Sequence, residues 1–197
     1  MKGSVLVLGA GIAGIQASLD LADSGFKVYL VDKQPSIGGT MPQLDKTFPT
    51  NDCSMCILSP KLVGTGGHPN IEILGNADIA GFSGAPGDFK VKLAKRPRYV
   101  DPKKCNGCGD CSRACPVKAV DVFNRSLCRK SSISVMYPQA VPLVYSINRE
   151  TCIGCGLCTR ICKKGAINYA QETESLELDI GAVIVATGAG LYDPSVT

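Results

Sequence analysis

The sequence predicts an α/β chain, a Rossmann-like dinucleotide-binding layer interrupted by a small α+β module rich in cysteine. Three observations predict it. A strand pattern at Ser4–Leu8 runs into a glycine-rich turn and then a helical pattern. Eight of the 11 cysteines fall in two runs of one spacing. After the second run an apolar stretch returns, Ala182-Val-Ile-Val-Ala-Thr-Gly188. The expected division is a Rossmann-like part over 1–96, the inserted module over 97–170, and returning strands of the first part over 171–197.

With 197 residues and 45% hydrophobic content, the chain can bury one fair-sized core or two small ones. Its 22 glycines and 12 prolines mark it as loop-rich without suggesting disorder. No apolar run approaches the length of a membrane span. The opening residues carry a lysine and an apolar run, as a signal peptide does. That run is only Val5–Leu8 and breaks at Gly9, so a buried strand and turn are expected, in a chain that stays in the cytoplasm.

Taken in order, Ser4–Leu8 reads as a buried parallel strand, followed by Gly9-Ala-Gly11-Ile-Ala-Gly14. A helical pattern then runs through Ile15, Leu19 and Leu21, Gly25 ends it, and Lys27–Val31 makes a second strand with Asp32 at its end. This is the dinucleotide fingerprint in its strand–turn–helix–strand setting. Gly9 is expected to make the turn, Gly11 to admit a pyrophosphate, and Gly14 to let helix and strand approach. Asp32, 18 residues after Gly14, is expected to accept ribose hydroxyls. A Rossmann-like layer with no ligand remains the alternative.

Three features favour FAD over NAD. After Asp32-Lys33 comes Pro35-Ser-Ile-Gly38-Gly39-Thr40, a glycine doublet that resembles the one flavoprotein disulfide reductases place beside the FAD phosphates. The Ala182–Gly188 stretch resembles their second flavin-domain signature. Between them a β-hairpin is expected from Ala77–Ser83 and Phe89–Lys95, turning at Gly84-Ala-Pro-Gly87. The candidate FAD residues are therefore Gly9, Gly11, Gly14, Asp32, Lys33, Gly38, Gly39, Thr40, Thr187 and Gly188.

The cysteine runs are Cys105-Asn-Gly-Cys108-Gly-Asp-Cys111-Ser-Arg-Ala-Cys115 and Cys152-Ile-Gly-Cys155-Gly-Leu-Cys158-Thr-Arg-Ile-Cys162. Both have the C-x2-C-x2-C-x3-C spacing of bacterial ferredoxins, in which three close thiolates wrap one iron–sulfur cube and the fourth reaches the other cube. Two [4Fe-4S] clusters are expected, one on Cys105, Cys108, Cys111 and Cys162, the other on Cys152, Cys155, Cys158 and Cys115. Zinc sites also use C-x2-C pairs but need no third cysteine at this spacing. Lys163 stands where the pattern expects proline. The repeat continues as Cys115-Pro-Val-Lys-Ala-Val-Asp-Val against Cys162-Lys-Lys-Gly-Ala-Ile-Asn-Tyr, each half reading as loop, short helix and strand. Between the runs, Tyr137–Tyr145 is an extended apolar stretch suited to packing the module onto its neighbour.

The formal charge of +4 would suggest an acidic partner, but each cluster with four thiolates is net −2, and two cancel it. Lys103, Lys104, Arg113, Lys118, Lys163 and Lys164 lie along the cysteine-rich middle, where they can offset cluster charge. No stripe of basic and aromatic residues supports nucleic-acid binding.

The stretch from Gly39 to Lys61, containing Asn51-Asp-Cys53-Ser-Met-Cys56, and the stretch Pro138–Tyr145 resemble the heterodisulfide reductase A-subunit family. The resemblance covers the front part of that family's flavin core and its inserted ferredoxin module. It implies an iron–sulfur flavoprotein that serves as one subunit of an oxidoreductase. Such a protein relays or splits electrons among a hydrogenase or dehydrogenase donor, a ferredoxin and heterodisulfide-reducing partner subunits. It also implies that the heterodisulfide is reduced elsewhere. The sequence ends at Asp193–Thr197, about where a nicotinamide-binding domain would begin, so either a longer protein or a partner supplies the rest.

Cys53 and Cys56 are candidate redox residues, because disulfide reductases resemble this stretch with a redox-active cysteine pair. A helix starting near Asp52 would make a thiol there reactive. A ligand role in a further cluster and an inert structural pair stay open; Asp52 is expected to cap that helix, the commoner use, or to tune the flavin. Cys128 has no cysteine at ligand spacing, and His68 reads as a turn residue. Two other functions stay open: a ferredoxin-like carrier with an incomplete flavin half, and an accessory module of a nicotinamide-dependent reductase of the glutamate synthase small-subunit type.

Overall fold

A computed structural model describes residues 2–190. The Asp193–Thr197 stretch, where a nicotinamide-binding domain is expected to begin, lies outside these residues. The chain opens with β1 (Ser4–Leu8), α1 (Ile12–Asp23) and β2 (Lys27–Asp32), then a 3-10 turn at Met41–Gln43. A small ribbon of β3 (Lys46–Thr47) and β4 (Asp52–Cys53) leads into α2 (Ser54–Gly67) and β5 (Ile71–Gly75). The hairpin β6 (Ala77–Ala85) and β7 (Asp88–Lys95) follows. The cysteine-rich stretch holds α3 (Asp110–Ala114), β8 (Lys118–Val120), β9 (Arg129–Ser131), β10 (Ile133–Ser134), β11 (Ser146–Ile147) and α4 (Leu157–Ile161). The chain then returns through β12 (Glu174–Ile180) and β13 (Ala182–Val185).

The central sheet is parallel, in the order β13-β1-β2-β5. Its strands are apolar because both faces are covered. Val7, Val28 and Leu30 share one core with Ile15 and Ala22 of α1 and Leu58 and Leu62 of α2. Leu6, Val31 and Leu74 point to the opposite face, against Ala77, Val91, Leu93 and Ile180 of the antiparallel sheet β12-β7-β6. The result is three layers: helices, parallel sheet, antiparallel sheet. Each fully buried Leu or Val contributes roughly 1.5–3 kcal/mol. The chain winds from β1 to β2 and β5 on one side and returns to β13 on the other. The carboxyl ends of β1 and β13 therefore form a topological switch point, where such sheets bind ligands.

A third core surrounds the cysteines, with Val100, Ile133, Val144, Ile147 and Ala166 packed around Cys111 and Cys158. The Tyr137–Tyr145 segment straps this core to the helical face of the sheet. Tyr137 and Ala140 are buried in the core beside Ile37 and Leu58, while Val144 is buried among the cysteines. Ile37 N–H donates to Val141 O (2.9 Å) and Ser36 Oγ to Pro142 O (3.3 Å). The Tyr137 hydroxyl donates to Ile37 O.

Two local expectations change, and one strand is added. The cap of α2 is Cys53, whose Sγ accepts from Cys56 N–H at 3.2 Å; Asp52 instead pairs with Thr47 in the ribbon. The strand after the second cysteine run shrinks to the single bridge Val100↔Ile167, whereas the first half keeps β8. Ile71–Gly75, which the sequence pattern leaves unassigned, is the outer strand of the parallel sheet.

Candidate cofactor sites

At the switch point the glycine-rich turn is built by close backbone contacts. Gly9 N–H donates to Val31 O (2.8 Å) and Ala186 N–H to Leu8 O (2.8 Å), which draws the ends of three strands together. A Cβ on Gly9 would lie 2.3 Å from Ala186 O, so Thr187 and Gly188 follow directly beside the turn. A Cβ on Gly14 would lie 1.9 Å from Gly9 O, the close helix–strand approach that the fingerprint requires. The glycine doublet is brought against the same turn: Gly38 N–H donates to Ala10 O (2.7 Å), and a Cβ on Gly39 would lie 2.8 Å from Gly11 Cα. Gly11 differs from its neighbours. A Cβ there meets nothing nearer than 4.0 Å, so its face is open, as a backbone receiving a pyrophosphate must be.

Asp32 is part-buried at the end of β2. Its Oδ2 accepts from Ala10 N–H (2.6 Å) and its Oδ1 from Gln34 N–H (2.8 Å). The carboxylate thus pins the glycine turn and the start of the doublet loop in addition to any ligand role. Lys33 and Thr40 are exposed nearby, on the rim of a cleft of about 1470 Å³ that runs between this layer and the cysteine-rich core. Arg96 and Arg149 line the same cleft.

The cysteines gather into two cavities. One is lined by Cys105, Cys108, Cys111 and Cys162, with Tyr145, Lys163 and Lys164. The other is lined by Cys115, Cys152, Cys155 and Cys158, with Ile133, Ile147 and Tyr169. Each quartet takes three cysteines from one run and the last cysteine of the other run, the crossed arrangement of two-cluster ferredoxins. The first cavity measures about 150 Å³ and the second, tighter one about 20 Å³. Among the described residues no three His, Cys, Asp or Glu side chains converge as a single metal ion needs. Each quartet lines its own cavity.

The two halves are built alike. Gly109 and Gly156 cap α3 and α4 in the left-handed conformation (φ 84° and 73°), which turns each cysteine loop into its helix. Cys111 and Cys158, equivalent in the repeat, are both buried. Burial pushes the Cys111 thiol up to about 12, and the sulfurs of Cys105, Cys108 and Cys162 add to the rise. Four thiols so placed resist ionising together unless a metal neutralises them.

Several residues near the quartets carry no sequence signal. Arg98 is part-buried and bridges the two cores, donating to Pro35 O and to Val144 O (3.4 Å). Burial lowers the pKa of its guanidinium, and the neighbouring Cys105 opposes that. Tyr169 Oη lies 3.0 Å from Cys158 Sγ. Only contacts made across the fold reveal these residues.

The remaining cysteines lie apart from both cavities. Cys53 and Cys56 are exposed at the start of α2 and joined as a disulfide. Cys128 is an exposed free thiol beside Asn124 and Asp121. His68 closes α2, its Nδ1 accepting from Asn70 N–H (3.1 Å).

Two stretches of the chain match known families. Residues 104–166 match the family described as 4Fe-4S dicluster domain, and residues 4–53 the family described as FAD dependent oxidoreductase. The fold and these matches place the chain among iron–sulfur flavoproteins, with FAD and two [4Fe-4S] clusters as its cofactors. The chain is 50% identical over 190 residues to the A subunit of the H(2):CoB-CoM heterodisulfide,ferredoxin reductase of Methanothermobacter marburgensis, covering 96% of this chain and 29% of that protein. It is 52% identical over 197 residues to the first iron-sulfur A subunit of the CoB--CoM heterodisulfide reductase of Methanopyrus kandleri, covering 99% and 29%. With the A subunit of the Ferredoxin:CoB-CoM heterodisulfide reductase of Methanosarcina mazei the identity is 42% over 193 residues, covering 98% and 24%. The chain belongs to the heterodisulfide reductase A-subunit family. It spans 29% of the length of the Methanothermobacter marburgensis and Methanopyrus kandleri relatives and 24% of that of Methanosarcina mazei.

Proposed function

We propose that the chain is the electron-carrying segment of a heterodisulfide reductase-type subunit, relaying electrons between flavin and two iron–sulfur clusters toward partner subunits. The observation that carries this reading is the pair of crossed cysteine quartets strapped by Tyr137–Tyr145 to the glycine-rich layer. In this reading residues 97–170 form the module inserted between 1–96 and 171–197 of the flavin-binding part.

Cys105, Cys108, Cys111 and Cys162 hold one cluster; Cys152, Cys155, Cys158 and Cys115 hold the other. Gly9, Gly11 and Gly14 receive the FAD pyrophosphate, with Gly38, Gly39 and Thr40 beside it. Asp32 and Lys33 face the adenosine end, and Thr187 and Gly188 lie along the way to the ring. Bound there, FAD supplies exchange between two-electron and one-electron chemistry, and the clusters supply one-electron carriers. The chain's own part is to fix these groups against one another, which the strap and Arg98 do by tying Ser36, Ile37 and Pro35 to Val141, Pro142 and Val144.

The proposed partners are the other subunits of such a complex, a hydrogenase or dehydrogenase donor and a ferredoxin. No helix of the described residues is long and apolar enough to cross a membrane. A reducing compartment, the cytoplasm, keeps thiols available for iron. Anaerobic preparation followed by metal and flavin analysis tests the reading. About eight irons and about one FAD per chain are expected; iron without flavin would make the chain a ferredoxin-like carrier, and zinc would refute the cluster assignment.

A further inference from the structure

In the internal repeat, Tyr169 stands seven residues after Cys162 where the first half has Val122 after Cys115. Val122 is 78% exposed, whereas Tyr169 is part-buried with its hydroxyl 3.0 Å from Cys158 Sγ. A cysteine bound to iron is a thiolate and can only accept, so in the loaded protein the phenol must be the donor. Its ring carries a cation: the Arg149 guanidinium carbon lies 5.6 Å from the Tyr169 ring centroid and 5.3 Å from that of Tyr99, between the two. A cation over a phenol ring polarises the O–H outward and strengthens the bond it donates. Tyr99 holds this stack from a left-handed backbone (φ 59°), a conformation costly for a bulky residue. Its carbonyl accepts from Asn168 N–H (3.0 Å), next to Tyr169, so the strained residue is fastened to the segment that carries the donor.

We propose that Tyr169, backed by Arg149 and Tyr99, is a positioning residue that raises the reduction potential of the cluster on Cys115, Cys152, Cys155 and Cys158, so that the two clusters are electronically unequal. A hydrogen bond to a ligand sulfur stabilises the more negative, reduced cluster, and solvation alone does not reproduce it at a buried sulfur. The other cavity has Tyr145 on its wall, but among the described residues no phenol hydrogen bond to sulfur occurs there. The inference rests on the cluster assignment proposed above.

The test is a redox titration of the anaerobically reconstituted 197-residue chain, followed by electron paramagnetic resonance. The signals are assigned by loss in Cys155→Ala. Tyr169→Phe is expected to keep its iron and to shift the reduction equilibrium of that one cluster about tenfold, a fall of about 59 mV for a one-electron couple. Arg149→Gln is expected to move the same cluster the same way by a smaller factor, and Tyr99→Phe, whose ring remains, to move neither. Unchanged midpoints in Tyr169→Phe, or equal shifts in both clusters, overturn the inference alone. If Tyr169→Phe loses iron, Arg149→Gln decides, and an unchanged midpoint there overturns it too. Iron well below eight in the unaltered chain overturns the cluster assignment and this inference together.

Discussion

Gly11 and Gly14 stand three residues apart in one turn and answer to different demands. Gly14 touches the chain itself, with 1.9 Å between its would-be Cβ and Gly9 O, while Gly11 has an extended backbone (φ −75°, ψ −177°) and open space. Gly14→Ala is expected to destabilise the fold by about 1–3 kcal/mol, as overpacking does, measured by denaturant unfolding. Gly11→Ala should change stability by less than about 0.5 kcal/mol yet weaken FAD binding at least about tenfold, read by flavin fluorescence on titration. If both variants unfold alike, the turn has no open face. Residues such as these, and the eight cysteines, are legible in sequence because their spacing is itself the constraint. Asp32 was legible only in part: its position follows from the fingerprint, but its bond to Ala10 N–H joins residues 22 apart. Tyr169, Arg98 and Arg149 were silent, since nothing local requires a tyrosine or arginine there.

Among the elements, the strap is where the two cores are joined, and the buried Tyr137 hydroxyl is its deepest polar contact. Burial pushes that hydroxyl up to about 12 from a phenol's ordinary value near 10. With the folded pKa above the unfolded one, the native state holds its proton longer. The associated stability is therefore complete below about pH 10 and declines as pH rises toward 12. Tyr137→Phe leaves Ile37 O without its donor and is expected to cost about 1 kcal/mol at neutral pH. The gap between the two proteins should narrow from pH 10 to 12 in urea melts at stepped pH; a constant gap would show that the phenol is solvated. The sequence announced the strap as an apolar extended run but not its partners, because Ile37 and Tyr137 lie 100 residues apart. The hairpin was legible for the opposite reason: its turn glycines and alternating strands are local. α2 was half legible, its cap moved from Asp52 to Cys53 by the ribbon that engages Asp52.

For the molecule as a whole, charge and connectivity lead to the remaining expectations. The metal-free chain is basic, with formal charge +4 and pI near 8.5, and two clusters at −2 each bring it to about zero. Native isoelectric focusing should therefore move the loaded protein to a clearly lower pI than the stripped one, and coincident bands would contradict cluster loading. Cys162→Ala should remove about half of the iron by emptying the site of Cys105, Cys108 and Cys111, although it sits in the other run. Because each run lends its last thiol to the opposite cavity, the inorganic cores serve as rivets between two halves that also share one apolar core. Pulling out either rivet frees a loop on both sides, so a chelator should loosen the pair in one concerted step instead of fraying one half and then the other.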